Sequence, residues 1–248
     1  MSATAVTLRT DDDLVETHAN DEREALARGL ASKHAGDDAL EILRAAIKDE
    51  FPDKIALVSS FGAESAVLLH LVSEIDKSLP VIFLETGKHF AQTLSYRKKL
   101  SSRLGLTNVR DIRPSKESLT FRDPGGDLWK HDADACCTLR KVEPLTSALD
   151  EFDAWITGRK QFHGGGRLNL PAFEASPTHI KVNPLARWSK DDIDAYVKKN
   201  DLPPHPLVAQ GYPSIGCWPC THPAAEGEDV RAGRWRGAAK TECGIHGH

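Results

Sequence analysis

Two short runs of uninterrupted apolar residues constrain this chain's fold more than any other feature. Ile55-Ala56-Leu57-Val58, between Lys54 and Ser59, and Val81-Ile82-Phe83-Leu84 show none of the polar alternation of a strand with one wet face. Strands of this kind have to be covered on both sides. Each ends in a turn of small or polar residues, Ser60-Phe61-Gly62-Ala63-Glu64-Ser65 after the first and Glu85-Thr86-Gly87 after the second. Helical apolar spacing follows each turn, over residues 66–75 and 90–104, and further strands are expected over 108–112, 154–157 and 180–185. Repeated strand, tight turn and helix predict an α/β fold, a mostly parallel sheet with helices on both faces. Ligands on such sheets sit beyond the carboxyl ends of the strands, so Ser59, Ser60 and Gly62 are expected to share one cleft with Glu85, Thr86 and Gly87.

The remaining segments organise around that sheet. Residues 1–20 are polar and without period, which predicts a flexible N-terminal tail. Helices are expected over 22–30 and 39–47, the second capped by Asp37 or Asp38, and over 193–199 behind a cap at Ser189-Lys190-Asp191-Asp192. Pro203, Pro204 and Pro206 impose an extended path. The organisation read here is a single domain over 21–230 and a mobile C-terminal tail over 231–248. The turn at Ser59–Ser65 offers backbone N–H groups and a helix dipole to a phosphate or sulfate, yet it lacks the G-x4-G-K-[ST] pattern of a nucleoside-triphosphate loop. A second loop, Gly158-Arg159-Lys160-Gln161-Phe162-His163-Gly164-Gly165-Gly166-Arg167, is glycine-rich and basic, suited to closing over an anion or to being a solvated surface loop.

Composition excludes several partners. The net charge of −4 provides no broad basic field for nucleic acid, and no apolar run approaches a membrane span. The acidic start, with Asp11, Asp12 and Asp13, does not read as a secretory signal, so a soluble cytoplasmic protein is expected.

Five cysteines remain: Cys136-Cys137, Cys217-Trp218-Pro219-Cys220 and Cys243. In a reducing compartment, two close pairs far apart in sequence point to metal ligation rather than disulfides. A directly adjacent pair is awkward around one tetrahedral zinc, whereas an iron-sulfur cubane offers a separate iron to each thiolate. On spacing alone zinc stays open.

With these residues in view, the chain resembles the assimilatory sulfonucleotide reductases, specifically the iron-sulfur, thioredoxin-dependent adenylyl-sulfate (APS) reductases. The resemblance runs from about Lys54 to His246. It rests on Cys136-Cys137-Thr138-Leu139-Arg140-Lys141-Val142-Glu143-Pro144-Leu145, on Ser214-Ile215-Gly216-Cys217-Trp218-Pro219-Cys220-Thr221, on Arg231-Ala232-Gly233-Arg234-Trp235 and on Glu242-Cys243-Gly244-Ile245-His246. It implies an adenine-nucleotide α-hydrolase-like fold in which Ser59–Ser65 is a modified pyrophosphate loop. Relatives that use ATP carry S-G-G-x-D-S at that turn, and the change argues against ATP cleavage. The resemblance further implies a 4Fe-4S cluster on Cys136, Cys137, Cys217 and Cys220, phosphosulfate contacts from Lys141, Arg231, Arg234 and His246, and a substrate-facing basic loop containing Gly158, Arg159 and Arg167. Cys243, the thiol left over, is then the nucleophile. The implied reaction reduces APS to sulfite and AMP in sulfate assimilation, through a thiosulfonate on Cys243 resolved by thioredoxin or a glutaredoxin-like reductant. Neither nucleic acid nor membrane takes part, and a homo-oligomer is compatible with this reading. The competing readings are the same chemistry on the 3′-phosphorylated substrate (PAPS), a non-catalytic regulator binding metal and nucleotide, and an ATP-dependent sulfur transferase acting on RNA.

Overall fold

The computed structural model describes residues 11–164, 167–237, 240 and 242–246. Six strands form one sheet in the order β3-β2-β1-β4-β6-β5: β1 Ile55–Val58, β2 Val81–Leu84, β3 Val109–Ile112, β4 Ala154–Ile156, β5 Phe173–Ala175 and β6 Ile180–Val182. All neighbours are parallel except β5, which turns back antiparallel on β6 with Phe173 opposite Val182 and Ala175 opposite Ile180. That edge hairpin is a feature the apolar pattern did not reveal, because β5 is short and carries Glu174 at its centre.

The unbroken apolar runs divide between two cores with the period of a strand. Ile55, Leu57, Val81, Phe83, Ala154 and Ile156 face one cluster, which also takes residues of α2 Ala39–Ala45, α3 Ser65–Ser73 and α4 Ala91–Leu104. Ala56, Ile82, Leu84 and Trp155 face the other, closed by Leu145 and Leu149 of α8 Glu143–Leu149. The expected two-sided burial therefore holds. At the edge, β3 carries charges that bind outward, Arg110 to Glu151 and Asp111 to Arg97, as edge strands commonly do.

The described part of the N-terminus is a long helix. Helix α1 runs Asp11–Lys33, so the segment read as a loose tail is helical from Asp11 onward, while residues 1–10 lie outside those described. Tertiary contact accounts for it: Ala27 and Leu30 enter the core, Arg23 Nε donates to Ser176 O at 3.3 Å, and His34 lies against Phe173 with ring centres 5.4 Å apart. These anchors lie in the second half of the helix or just past its end, beyond the stretch whose periodicity was weak.

Asp38, not Asp37, caps α2. Its carboxylate accepts from Leu40 N and Glu41 N, and the Glu41 side chain accepts from Asp38 N in return. Asp37 instead accepts from His34 at 2.7 Å. Replacing Asp38 with Ala should cost about 1 kcal/mol of stability. Urea unfolding of Asp38→Ala beside Asp38→Asn tests the assignment: Asn can cap and should retain most of the stability, and equal loss in both would set the cap aside.

Candidate functional site

The strand order changes direction between β1 and β4, and a cleft of about 240 Å3 opens beyond their carboxyl ends. The turn after β1 forms one wall. Phe61 takes a left-handed backbone, φ 48°, with its ring fully buried edge-on to Phe83, and its N–H donates to Ser59 Oγ at 3.2 Å. Ser60 and Gly62 line the opening, and α3 begins there with no side-chain cap on its first N–H groups.

Glu64 ties this turn to the loop after β4. Its carboxylate lies 2.9 Å from Lys160 Nζ and 3.4 Å from His163 Nε2. Burial alone would raise the Glu64 carboxyl, but the His163 hydrogen bond and the Lys160 charge outweigh it and bring it down to about 2. Farther along that loop, Arg159 is held by Glu174 and Asn183 at the sheet rim, and Arg167 reaches across to Glu242. Gly158 completes this wall, while Gly165 and Gly166 lie outside the described residues.

The cysteine hooks meet behind the cleft. Cys136 and Cys137 end α7 Ala133–Cys137, whose N-terminus Asp132 caps through Ala135 N at 2.8 Å. Neighbouring residues of a helix point about 100° apart, so these thiols face different directions. A π-helical turn, Thr138–Val142, follows and carries Arg140 and Lys141. Arg140 is buried, its guanidinium 2.6 Å from Asp123 and donating to Thr86 O at 2.7 Å. The second hook is pinned from two sides: Trp218 N donates to Lys88 O at 2.8 Å, and Trp235 N donates to Cys220 O at 3.0 Å. Two glycines permit this approach, since a Cβ on Gly216 would overlap the Arg234 guanidinium and one on Gly233 would overlap His222 O.

All four hook thiols line one small cavity with Arg140, Lys141 and Arg234. Among the described residues, no three His, Cys, Asp or Glu side chains gather closely enough to chelate a single ion. Burial pushes the Cys137 thiol up to about 11 against the pull of Lys141, so holding a thiolate there calls for more positive charge.

Lys141, Arg234 and Trp235 line both the cysteine cavity and the cleft, forming the partition between them. Burial would lower Lys141, but the charges of Cys217, Cys243 and Cys137 raise it above its usual range. Arg234 stacks its guanidinium 4.4 Å from the Trp235 ring centre, and its buried Nε has no partner among the described residues.

Beyond that partition lie Cys243 and His246. The His246 ring stacks on Trp155 at 5.5 Å with an interplanar angle of 3°, and its carbonyl accepts from Lys181 Nζ at 2.8 Å. Burial, then the charges of Arg159, Arg167, Lys181 and Arg231, hold His246 well below the usual histidine range, so the ring is neutral and its buried Nδ1 lacks a partner among the described residues. An array of fixed cations about a cleft suits an anion that develops or transfers charge.

Most site residues expected from the sequence thus converge: Ser59, Ser60, Gly62, Lys141, Gly158, Arg159, Arg167, Arg231, Arg234, Cys243 and His246 all line the cleft. Glu85, Thr86 and Gly87 do not. The Glu85 carboxylate accepts from Gly87 N at 2.8 Å, and the Thr86 hydroxyl lies 3.3 Å from Cys217 Sγ. Arg140 draws this loop toward the cysteines, away from the cleft. The C-terminal segment is packed where it is described, with Trp235 buried and Ile245 against the α8 core.

Glu64, Trp155, Lys160, Lys181 and Glu242 were missed as site residues. Lys181 had a visible signal, a lysine inside an otherwise apolar strand. Trp155 had none, because a strand tryptophan reads as core.

Comparison with known proteins adds the following. The model of the phosphoadenosine phosphosulfate reductase domain family matches residues 54–223. A Mesorhizobium japonicum protein named adenosine 5'-phosphosulfate reductase is 53% identical over 225 residues, covering 88% of this chain and 89% of that one. One of the same name from Chelativorans sp. is 57% identical over 192 residues, covering 77% and 78%. The crystal structure of phosphoadenylyl-sulfate (PAPS) reductase from Candida auris, a phosphate complex, superposes with a TM-score of 0.67 at 30% identity, over 79% of this chain and 96% of that one. Candida glabrata FMN adenylyltransferase, at 16% identity and a TM-score of 0.54 over 84% of this chain and 79% of that one, shares the fold alone.

The Glu64 ion pairs give a pH signature. Its carboxyl sits at about 2 against an ordinary 4.5, so the stability it contributes is complete above about 4.5 and lost as pH falls toward about 2. The difference in urea-unfolding free energy between the parent and Glu64→Gln should be widest at neutral pH and close through that window. A constant difference would mean that Glu64 acts through packing and not charge.

Proposed function

The chain belongs to the phosphoadenosine phosphosulfate reductase domain family, and from that premise we propose that it reduces adenylyl sulfate to sulfite and AMP. One observation carries the reading: Cys243, the thiol outside both hooks, shares a cleft with Lys141, Arg231 and Arg234, and Lys141 and Arg234 also border the four-cysteine cavity. The unphosphorylated substrate is preferred because the relatives at 53% and 57% identity are named for it. Competing APS against PAPS in a sulfite-release assay separates the two.

A thiolate attacking an anionic sulfate ester meets like-charge repulsion, and the cations offset it. Arginine forks suit bidentate contact with sulfate or phosphate oxygens, and Lys141 adds a point charge beside Cys243. The Cys243 thiolate attacks the sulfate sulfur and forms an S–S bond. The S–O bond to the nucleotide breaks, and AMP departs with the electron pair, a good leaving group that needs no paired carboxylates. One thiolate of a thioredoxin-like dithiol then attacks Cys243 Sγ, expelling sulfite and leaving a mixed disulfide. The second thiolate resolves that disulfide and restores Cys243, so the two electrons come from the dithiol. The segment carrying Cys243 has to leave the cleft to meet this partner.

The four hook thiols fit a 4Fe-4S cluster: they border one cavity, two of them are directly adjacent in sequence, and Lys141, Arg140 and Arg234 are there to balance thiolate charge. A cluster bound there would join two segments distant in sequence and set the local field. Anaerobically purified protein should be brown with about four irons per chain. Replacing Cys136, Cys137, Cys217 or Cys220 with Ser should remove the colour and most of the soluble yield. Colourless protein with one zinc would overturn the cluster.

For Cys243→Ser, the cluster and AMP binding should be retained with no sulfite released. The parent given APS without reductant should carry a sulfite adduct on the peptide containing Cys243, read by mass spectrometry. Normal turnover by the Ser variant would move the chemistry elsewhere.

A further inference from the structure

Two of the cleft's arginines are engaged by a carboxylate of the chain itself. Glu242 Oε1 lies on Arg167 Nη2 at 2.5 Å and Glu242 Oε2 on Arg231 Nη2 at 3.2 Å. The arginines come from separate parts of the chain, one ending the basic loop after β4 and the other following the second cysteine hook. Their side chains are 11% and 21% exposed, against 43% for Glu242, so the carboxylate sits at the mouth over two deeper cations.

A carboxylate satisfies such donors with two oxygens and one negative charge, as a sulfate or phosphate would with its own oxygens. The two anions cannot hold the same guanidinium N–H groups together. Without substrate the pair needs a counter-ion, because Arg167 is depressed by burial and by the charge of Arg231, and Glu242 opposes both. Glu242 also immediately precedes Cys243, so whatever holds its carboxylate holds the thiol in the cleft.

We propose that Glu242 is a resident counter-ion: it occupies Arg167 and Arg231 in the substrate-free protein and yields them to the sulfate or phosphate of an incoming ligand. The naming of the anion rests on the function proposed above; the exchange itself rests on the two ion pairs. The carboxylate neutralises the two guanidinium groups until an anion arrives, and the anion then takes its place.

Glu242→Gln keeps the size of the side chain and removes the charge, so the test uses the full-length protein with its metal site loaded. Calorimetric titration with AMP, and separately with inorganic sulfate, should show binding about twofold to tenfold tighter than in the parent, the scale of one partly exposed ion pair released. Glu242→Asp, which keeps the charge, should bind both anions closer to the parent's affinity than Glu242→Gln does. Weaker or unchanged anion binding in Glu242→Gln would overturn the proposal, since a carboxylate that merely shapes the cleft would lower affinity when lost. The readout needs no turnover. Absence of sulfite release by the parent would therefore count against the proposed reaction alone.

Discussion

Burial of the central strands on both faces is the constraint on which the rest depends. With Ile55, Leu57, Phe83 and Ile156 packed to one side and Ala56, Ile82 and Trp155 to the other, β1, β2 and β4 have no face on which to place a charge. Polar chemistry is pushed past their carboxyl ends. The reversal of strand order between β1 and β4 separates the turns there and leaves room for a ligand. The loop after β2 lies on the far side of β1 from β4, and it serves the cysteine cavity instead.

A cleft that gathers Lys141, Arg159, Lys160, Arg167, Arg231 and Arg234, with Lys181 acting on His246 behind it, must be kept from repelling itself apart. The chain answers with carboxylates placed one by one: Glu64 on Lys160, Glu174 on Arg159, and Glu242 on Arg167 and Arg231. Glu64 and Glu174 belong to the turn after β1 and to β5, held by the sheet. Glu242 belongs to the segment that also bears the nucleophile of the proposed reaction. The structure therefore distinguishes permanent counter-ions from one carried on the segment that has to move.

Holding the two cysteine hooks together is the second task of the fold. Arg140 joins the first hook to the loop after β2 through Asp123 and Thr86, and Lys88 and Trp235 pin the second hook from opposite sides. These contacts make Lys141 and Arg234 a partition common to both cavities. Charge at the thiols and charge at the cleft are in this way felt by the same two side chains.

Much of this could be read along the chain before any fold was known. Local pattern determined five of the six strands, their two-sided burial, the turn after β1, a cap at Asp37 or Asp38, the cap at Ser189 and the pairing of the cysteines, because each depends on residues within a few positions of one another. The converging site residues were legible because their types are distinctive and their motifs short. What only the tertiary structure decided depends on distance in space between residues far apart in sequence. Helix α1 starts at Asp11 in a fold where its second half docks near β5 and the core; β5 exists because it can turn back on β6; Glu85–Gly87 faces the cysteines because Arg140 reaches it there. The meeting of Glu242 with Arg167 and Arg231 is of the same kind. A glutamate beside a cysteine carries no mark of the cations it will meet, since Coulombic attraction acts through space and the chain's order records only neighbours.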